Sequence, residues 1–214
     1  MASIAGELVR TGHLLRGQRR APLAVGVVTV AVALALHCGG PPTGVNSLRV
    51  VGLILVLSSG FALDDAAAPT LQASPYPLAR RLLVRIGCAA AMVVPLWTIA
   101  MWRLLPAAPT GADRVSLSVG LTVEFAAALA VVWAAAAWGR RRGLAEPGIA
   151  TAPVLLGLVF LVAVHPRAKL LVGPSPHWLA AHLRWVAVLV CAAILLAVAM
   201  RDPAKPTSSV REHP

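Results

Sequence analysis

Six apolar runs, separated by short connections that carry most of the charge, restrict this 214-residue chain more than any motif within it. They extend from about Ala21 to Cys38, Leu48 to Leu63, Leu82 to Leu105, Val115 to Trp138, Ile149 to Val164 and Leu179 to Met200. A helix needs about 20 apolar residues to cross roughly 30 Å of hydrocarbon, and somewhat shorter runs cross by snorkelling or local thinning. With 58% hydrophobic and only 13% charged residues, the chain has too little polar surface for a soluble domain, where about a quarter of residues are charged. The expected class is therefore an all-α integral membrane protein with six transmembrane helices in one domain, residues 21–200.

The first run comes after Arg10, Arg16, Arg19 and Arg20 and contains an Ala-Leu-Ala tripeptide ending at Ala35, which resembles a secretory signal. The chain beyond it holds more apolar runs rather than a soluble mature domain, so an uncleaved first span is the preferred reading. His37 stands before Cys38, where a lipoprotein signal requires a small residue. Ahead of this span, Ile4, Leu8, Leu14 and Leu15 alternate with Glu7, Arg10, His13 and Arg16. This arm, residues 1–20, reads as an amphipathic interfacial helix, with a solvated basic tail as the plainer reading. Residues 201–214 are polar and Pro-rich and read as a disordered tail.

The net charge of +11 would suggest nucleic acid in a soluble protein. Here the basic residues cluster between apolar runs, as membrane topology requires, so no nucleic acid is expected. If the termini lie inside, thirteen Lys and Arg residues fall in cytoplasmic segments against six in outer ones. Both termini cytoplasmic is thus the expected orientation, with Trp102, Trp178 and Trp185 at the outer interface and Trp138 and Tyr76 at the inner one. Residues 165–182, mixing Pro166, Pro174 and Pro176 with Leu170, Leu171 and Trp178, form either an outer re-entrant or interfacial segment or a plain loop. Pro95 should kink the third span.

Glu124 is the one acid deep within a span, where an ionisable group is costly enough to be a functional candidate. Arg103 and Arg184, near the outer ends of other spans, are its expected cations; a structural helix–helix hydrogen bond is the plainer role. Ala126, Ala130 and Ala134 give the same span a small-residue stripe suited to close helix packing. Cys38, Cys88 and Cys191 are scattered, and His37, His165, His177 and His182 lack a spacing that places two on one helical face, so neither a disulfide framework nor a metal site is expected. No G-x-S-x-G elbow, H-E-x-x-H motif or phosphate loop occurs, and the only lysines are Lys169 and Lys205. The chain is not expected to be an enzyme or to carry a cofactor, and any nucleotide energy must come from another polypeptide.

The polar interval between the second and third runs is the remaining distinctive stretch. It starts with Asp64 and Asp65, passes Pro69, Thr70, Leu71 and Gln72 to Ala73-Ser74-Pro75, and ends with Leu78, Arg80 and Arg81 at the entry to the third span. Pro69 can start a short helix, while Pro75 and Pro77 must stop it, which isolates a rigid nub between long helices. A turn whose acids cap and whose arginines fix topology is the plainer reading.

This interval resembles the first cytoplasmic loop of type-2 ABC exporter permeases, where an acid, a short helix and a Ser/Thr-Pro step precede a basic entry into the third helix. Ala66, Ala67, Ala68 and Pro69 stand where that family carries a Gly-Thr-Leu-Glu-like run. Six spans, cytoplasmic termini and an amphipathic lead-in are similar to the same family. The resemblance implies a coupling loop, residues 64–81, in which Asp64, Asp65, Thr70, Leu71 and Gln72 face a separate ABC ATPase subunit. It implies that Arg80 and Arg81 hold phospholipid headgroups or the ATPase surface. It further implies a dimer with a second copy or a related permease in a bacterial inner membrane. A non-transporting six-helix protein with an immunity, sensory or assembly role is the alternative; an intramembrane enzyme is a third.

Overall fold

The computed structural model describes residues 20–36, 44–64, 78–105, 111–144, 146–164 and 178–201. These residues form six α-helices and one 3-10 turn, without strands: α1 (Arg20–Leu36), α2 (Val45–Gly60), the turn Phe61–Leu63, α3 (Leu78–Leu104), α4 (Gly111–Arg141), α5 (Pro147–Val164) and α6 (Trp178–Met200). Among the described residues, four helical segments are long and apolar enough to cross a membrane: Val45–Leu63, Leu78–Leu104, Arg114–Arg141 and Trp178–Met200. They coincide with the expected second, third, fourth and sixth spans. The first and fifth fall on α1 and α5, of 17 and 18 residues.

Helix boundaries differ from expectation mainly at N-termini. The third helix begins at Leu78 rather than Leu82, so Arg80 and Arg81 stand in its first turn and not in a loop. Polar first-turn residues are tolerated because their side chains reach water while the backbone continues to pair, and a hydropathy boundary misses them. Through Pro95 the α3 helix runs on. The C-terminus of α4 is closed by Gly143 at φ +88, with Leu144 N–H donating to the Gly139 carbonyl and Gly143 N–H to that of Arg140. This Schellman arrangement requires a left-handed residue, which glycine adopts without a Cβ penalty. Pro147 then opens α5 at a position where its missing N–H costs nothing.

Helix α2 lies at the centre, in contact with α1, α3, α4 and α5, while α6 packs chiefly along α4. Half of the α2 span is buried, against 11% of the α6 span. Leu48, Leu55, Val93, Leu121 and Phe125 form the core with Trp97, whose ring stacks on Phe125 at 4.4 Å and 6°. On α6, by contrast, Leu179, Leu183, Val186, Val190 and Ile194 recur along one exposed face. Such a continuous apolar face is untenable in water and natural against acyl chains.

The N-terminal arm (1–19), residues 37–43, 65–77, 106–110, 145 and 165–177 and the tail (202–214) lie outside the described residues. With them lie the expectations for Asp65, Thr70, Leu71, Gln72, Cys38, His37, His165 and His177.

Candidate functional site: two buried polar clusters

Polar side chains gather at two places, one toward each end of α2. Arg49 and Asp64 mark them, 15 residues apart along α2 and its 3-10 extension, or about 22 Å at 1.5 Å per residue.

At the Arg49 end, three helices deliver one charged or titratable group each. Arg49 comes from the start of α2, Glu124 from the middle of α4, and His182 from the second turn of α6. The Arg49 guanidinium donates twice to the Glu124 carboxylate, from Nε to Oε2 at 2.8 Å and from Nη2 to Oε1 at 2.6 Å. Their side chains are 15% and 7% exposed. Two parallel charge-assisted bonds are the strong form of this interaction, and the planar guanidinium fork matches the carboxylate. On the other side of the carboxylate, His182 Nε2 lies 3.2 Å from Oε1. The His182 ring is buried; its Nδ1 is 2.7 Å from the Trp178 carbonyl oxygen, one turn earlier.

Gly120 makes room for this α6 turn. A Cβ there would stand 2.6 Å from both His182 Nε2 and Trp178 Cζ2. Trp178 packs against His182 with ring centroids 4.0 Å apart and planes tilted by 40°, and its Nε1 donates to the Ser116 carbonyl of α4 at 3.3 Å. Beside the ion pair is a cavity of about 300 Å³, walled by Arg49, Glu124, Trp97, Phe125 and Trp185.

At the other end, Asp64 ends the 3-10 turn and is completely buried. Its Oδ1 accepts a 2.6 Å hydrogen bond from the Gly148 N–H, in the first turn of α5. The carboxylate therefore serves as an N-terminal cap for a helix 84 residues away and sits at the positive end of its dipole. A Cβ at Gly148 would stand 2.9 Å from the Gly60 carbonyl oxygen and Phe61 Cα, so the two backbones meet only because this residue is glycine. Buried Arg85 of α3 reaches the Asp64 carbonyl with Nη1 at 3.4 Å. Helices α2, α3 and α5 thus meet at one aspartate. Nearby, Arg141 Nη1 donates to the Val198 carbonyl at 2.6 Å, tying the end of α4 to that of α6. Arg141 and Arg142 each lie 5.7 Å from the Trp138 ring centroid.

Comparison with protein-family models, curated proteins and solved structures finds no match to this chain. Its functional reading thus rests on the two clusters and on the sequence.

Several sequence expectations change against this geometry. Glu124 is buried and charge-paired as anticipated for an intramembrane acid, but the guanidinium bound to it is that of Arg49. Arg103 is exposed, its guanidinium 5.5 Å from the Trp102 ring centroid, and Arg184 is exposed on α6. Position along the helices decides this. Arg49 points from the central helix toward α4, a relation between residues 75 apart in sequence. One weak signal was present: Arg49 falls at the start of the second apolar run, near a span end like Arg103 and Arg184, and nothing in the sequence ranks it above them. Asp64, expected to face a partner, is turned inward to cap α5. Arg80 is exposed and Arg81 half-buried on α3. Among the described residues no group of three or more His, Cys, Asp or Glu side chains could hold a metal ion.

Proposed function

We propose that this chain is the membrane-spanning permease subunit of an ATP-driven ABC-type exporter. In this reading six helices cross a bacterial inner membrane with both termini in the cytoplasm, and a second copy or a related permease completes the pathway. A separate ATPase engages the segment 64–81, whose sequence resembles that of type-2 exporter permeases.

The observation that carries this reading is the anchorage at the base of the segment. Asp64, its first residue, is fully buried and hydrogen-bonded to the first turn of α5, and its carbonyl meets Arg85 of α3. A force on a loop held only by flexible chain would dissipate. Here Asp64, the first residue of the segment, is shared among α2, α3 and α5, so a displacement applied at Asp64 reaches three helices at once. Such rigid linkage is what a transmission element needs, and packed helices respond to it by discrete shifts rather than continuous bending. About 22 Å away on the same central helix lies the Arg49–Glu124–His182 cluster with its cavity. Polar groups of this kind inside a span commonly mark a pathway.

The test is charge reversal within the loop. Asp65→Lys should abolish association with the partner ATPase and membrane-stimulated ATP hydrolysis, while insertion and folding of the full chain stay intact. Unchanged association and hydrolysis would return the loop to a topological role and favour the non-transporting reading.

A further inference from the structure

The side chains of α4 and α6 interlock at both ends of their contact and leave a gap between. At one end His182 and Trp178 of α6 fill the recess over Gly120; at the other, Arg141 Nη1 holds the Val198 carbonyl. Between these points lies a groove of about 700 Å³, lined by Ala134, Ala135 and Trp138 of α4 and by Ala187, Cys191 and Leu195 of α6. Alanine side chains are too short to close it. It begins at Val131, so its length along α4 to Trp138 is roughly 10 Å, about two thirds of one leaflet's hydrocarbon depth. At Trp138 its character changes. Arg141 and Arg142 follow three and four residues later, on the same helical face, each 5.7 Å from the Trp138 ring centroid. The Val198 carbonyl that accepts from Arg141 also accepts from the Arg201 backbone N–H at 3.2 Å, so the end of α6 brings Arg201 to the same place. Trp138 and these three arginines are exposed. Arg140, Arg141, Arg142 and Arg201 outnumber the acids nearest in sequence, Glu146 and Asp202.

We propose that the α4–α6 groove binds one anionic phospholipid, its acyl chain along the alanines and its phosphate held by Arg141, Arg142 and Arg201. Charge selects the headgroup: arginines at the membrane surface attract an anionic lipid, whereas a zwitterionic lipid brings a cation of its own to the same place. The guanidinium fork matches phosphate oxygens, and tryptophan is a side chain that settles at headgroup level. The gap selects the chain, since a flexible alkyl chain fills a narrow apolar groove without leaving any polar group unpaired. A second copy of this protein fits less well. A helix with its side chains is about 10–12 Å wide, and a symmetric pair seated through this groove would press each basic end against its duplicate. The bound lipid bridges α4 and α6 at the end opposite the Trp178–His182 contact. The site requires a bilayer around the chain and does not depend on whether the chain transports a substrate.

The experiment is native mass spectrometry of the full-length chain released from nanodiscs that contain equal amounts of phosphatidylglycerol and phosphatidylcholine with identical acyl chains. One phosphatidylglycerol should stay bound, in preference to phosphatidylcholine by about tenfold or more. A surface arginine contributes about fivefold, so Arg142→Gln and Arg201→Gln should each lower phosphatidylglycerol retention by about that factor and leave phosphatidylcholine unchanged. Ala135→Leu, which fills the groove without touching the arginines, should lower phosphatidylglycerol retention as well. Arg103→Gln, at the opposite end of the bundle, should change nothing. Equal retention of the two lipids by the wild type would overturn the proposal, as would equal losses in Arg142→Gln and Arg103→Gln. A lipid-free dimer would overturn it in favour of a second copy in the groove. The wild-type preference decides even if a variant fails to fold.

Discussion

Replacing Arg49 by Met removes the cation from a carboxylate that has almost no access to solvent. The Glu124 side chain is 7% exposed and receives hydrogen bonds of 2.6 and 2.8 Å from this guanidinium. Without Arg49, the polar side chain left near the carboxylate is the His182 ring, with Nε2 3.2 Å from Oε1. Stranding one member of a buried ion pair costs about 3–5 kcal/mol, whereas replacing both members by apolar residues of similar volume is often neutral. Ordinary interhelical hydrogen bonds in membranes average about 0.6 kcal/mol and reach about 1.7 kcal/mol. The two magnitudes separate the possible roles. If Arg49–Glu124 is a desolvated ion pair, Arg49→Met and Glu124→Leu are each strongly destabilising, and the double variant recovers most of the loss. A coupling of at least about 3 kcal/mol then emerges from the cycle. The assay is denaturant titration of the purified chain in mixed micelles for the wild type, both single variants and the double variant. Losses below about 1 kcal/mol in each single variant, adding without coupling, would show that the cavity hydrates the pair and would refute the reasoning.

Three further outcomes are expected from the packing and are checked by the same titration. Asp64→Ala removes the cap of α5 and should cost about 0.5–2 kcal/mol, whereas Asp64→Asn keeps an acceptor and should recover most of it. Gly148→Ala presses a methyl group against backbone atoms 2.9 Å away and should destabilise by about 1–3 kcal/mol. Gly87→Ala, whose Cβ would meet nothing within 4 Å, should instead stabilise α3 by up to about 1 kcal/mol.

The features legible in the sequence and those hidden in it divide along physical lines. Hydrophobic length is a local property, so α2, α3, α4 and α6 were legible as long apolar segments, apart from first turns such as that of Arg80 and Arg81. A buried acid in a span is also a local anomaly, which is why Glu124 stood out. Its partner is a matter of helix packing: Arg49, Arg103 and Arg184 all lie near helix ends on the same side, and their choice depends on which helix is central. The Asp64 cap was legible in kind, since an acid at a helix end suggests capping. The capped helix was not, because α5 begins 84 residues later. His182 lies where the outer segment 165–182 overlaps the sixth run from Leu179, and its seat in the second turn of α6, where α4 lacks a side chain, was not legible. A glycine in an apolar run carries no sign of which neighbour fills the space above it.

The central claim, that an ATPase drives this bundle through residues 64–81, is tested most directly by purifying the tagged full-length chain from its own host in mild detergent and measuring ATP hydrolysis. The account predicts that a Walker-motif ATPase co-purifies in fixed ratio, that hydrolysis is present, and that both are lost in Asp65→Lys. A folded chain that purifies without any ATPase and hydrolyses no ATP would contradict it.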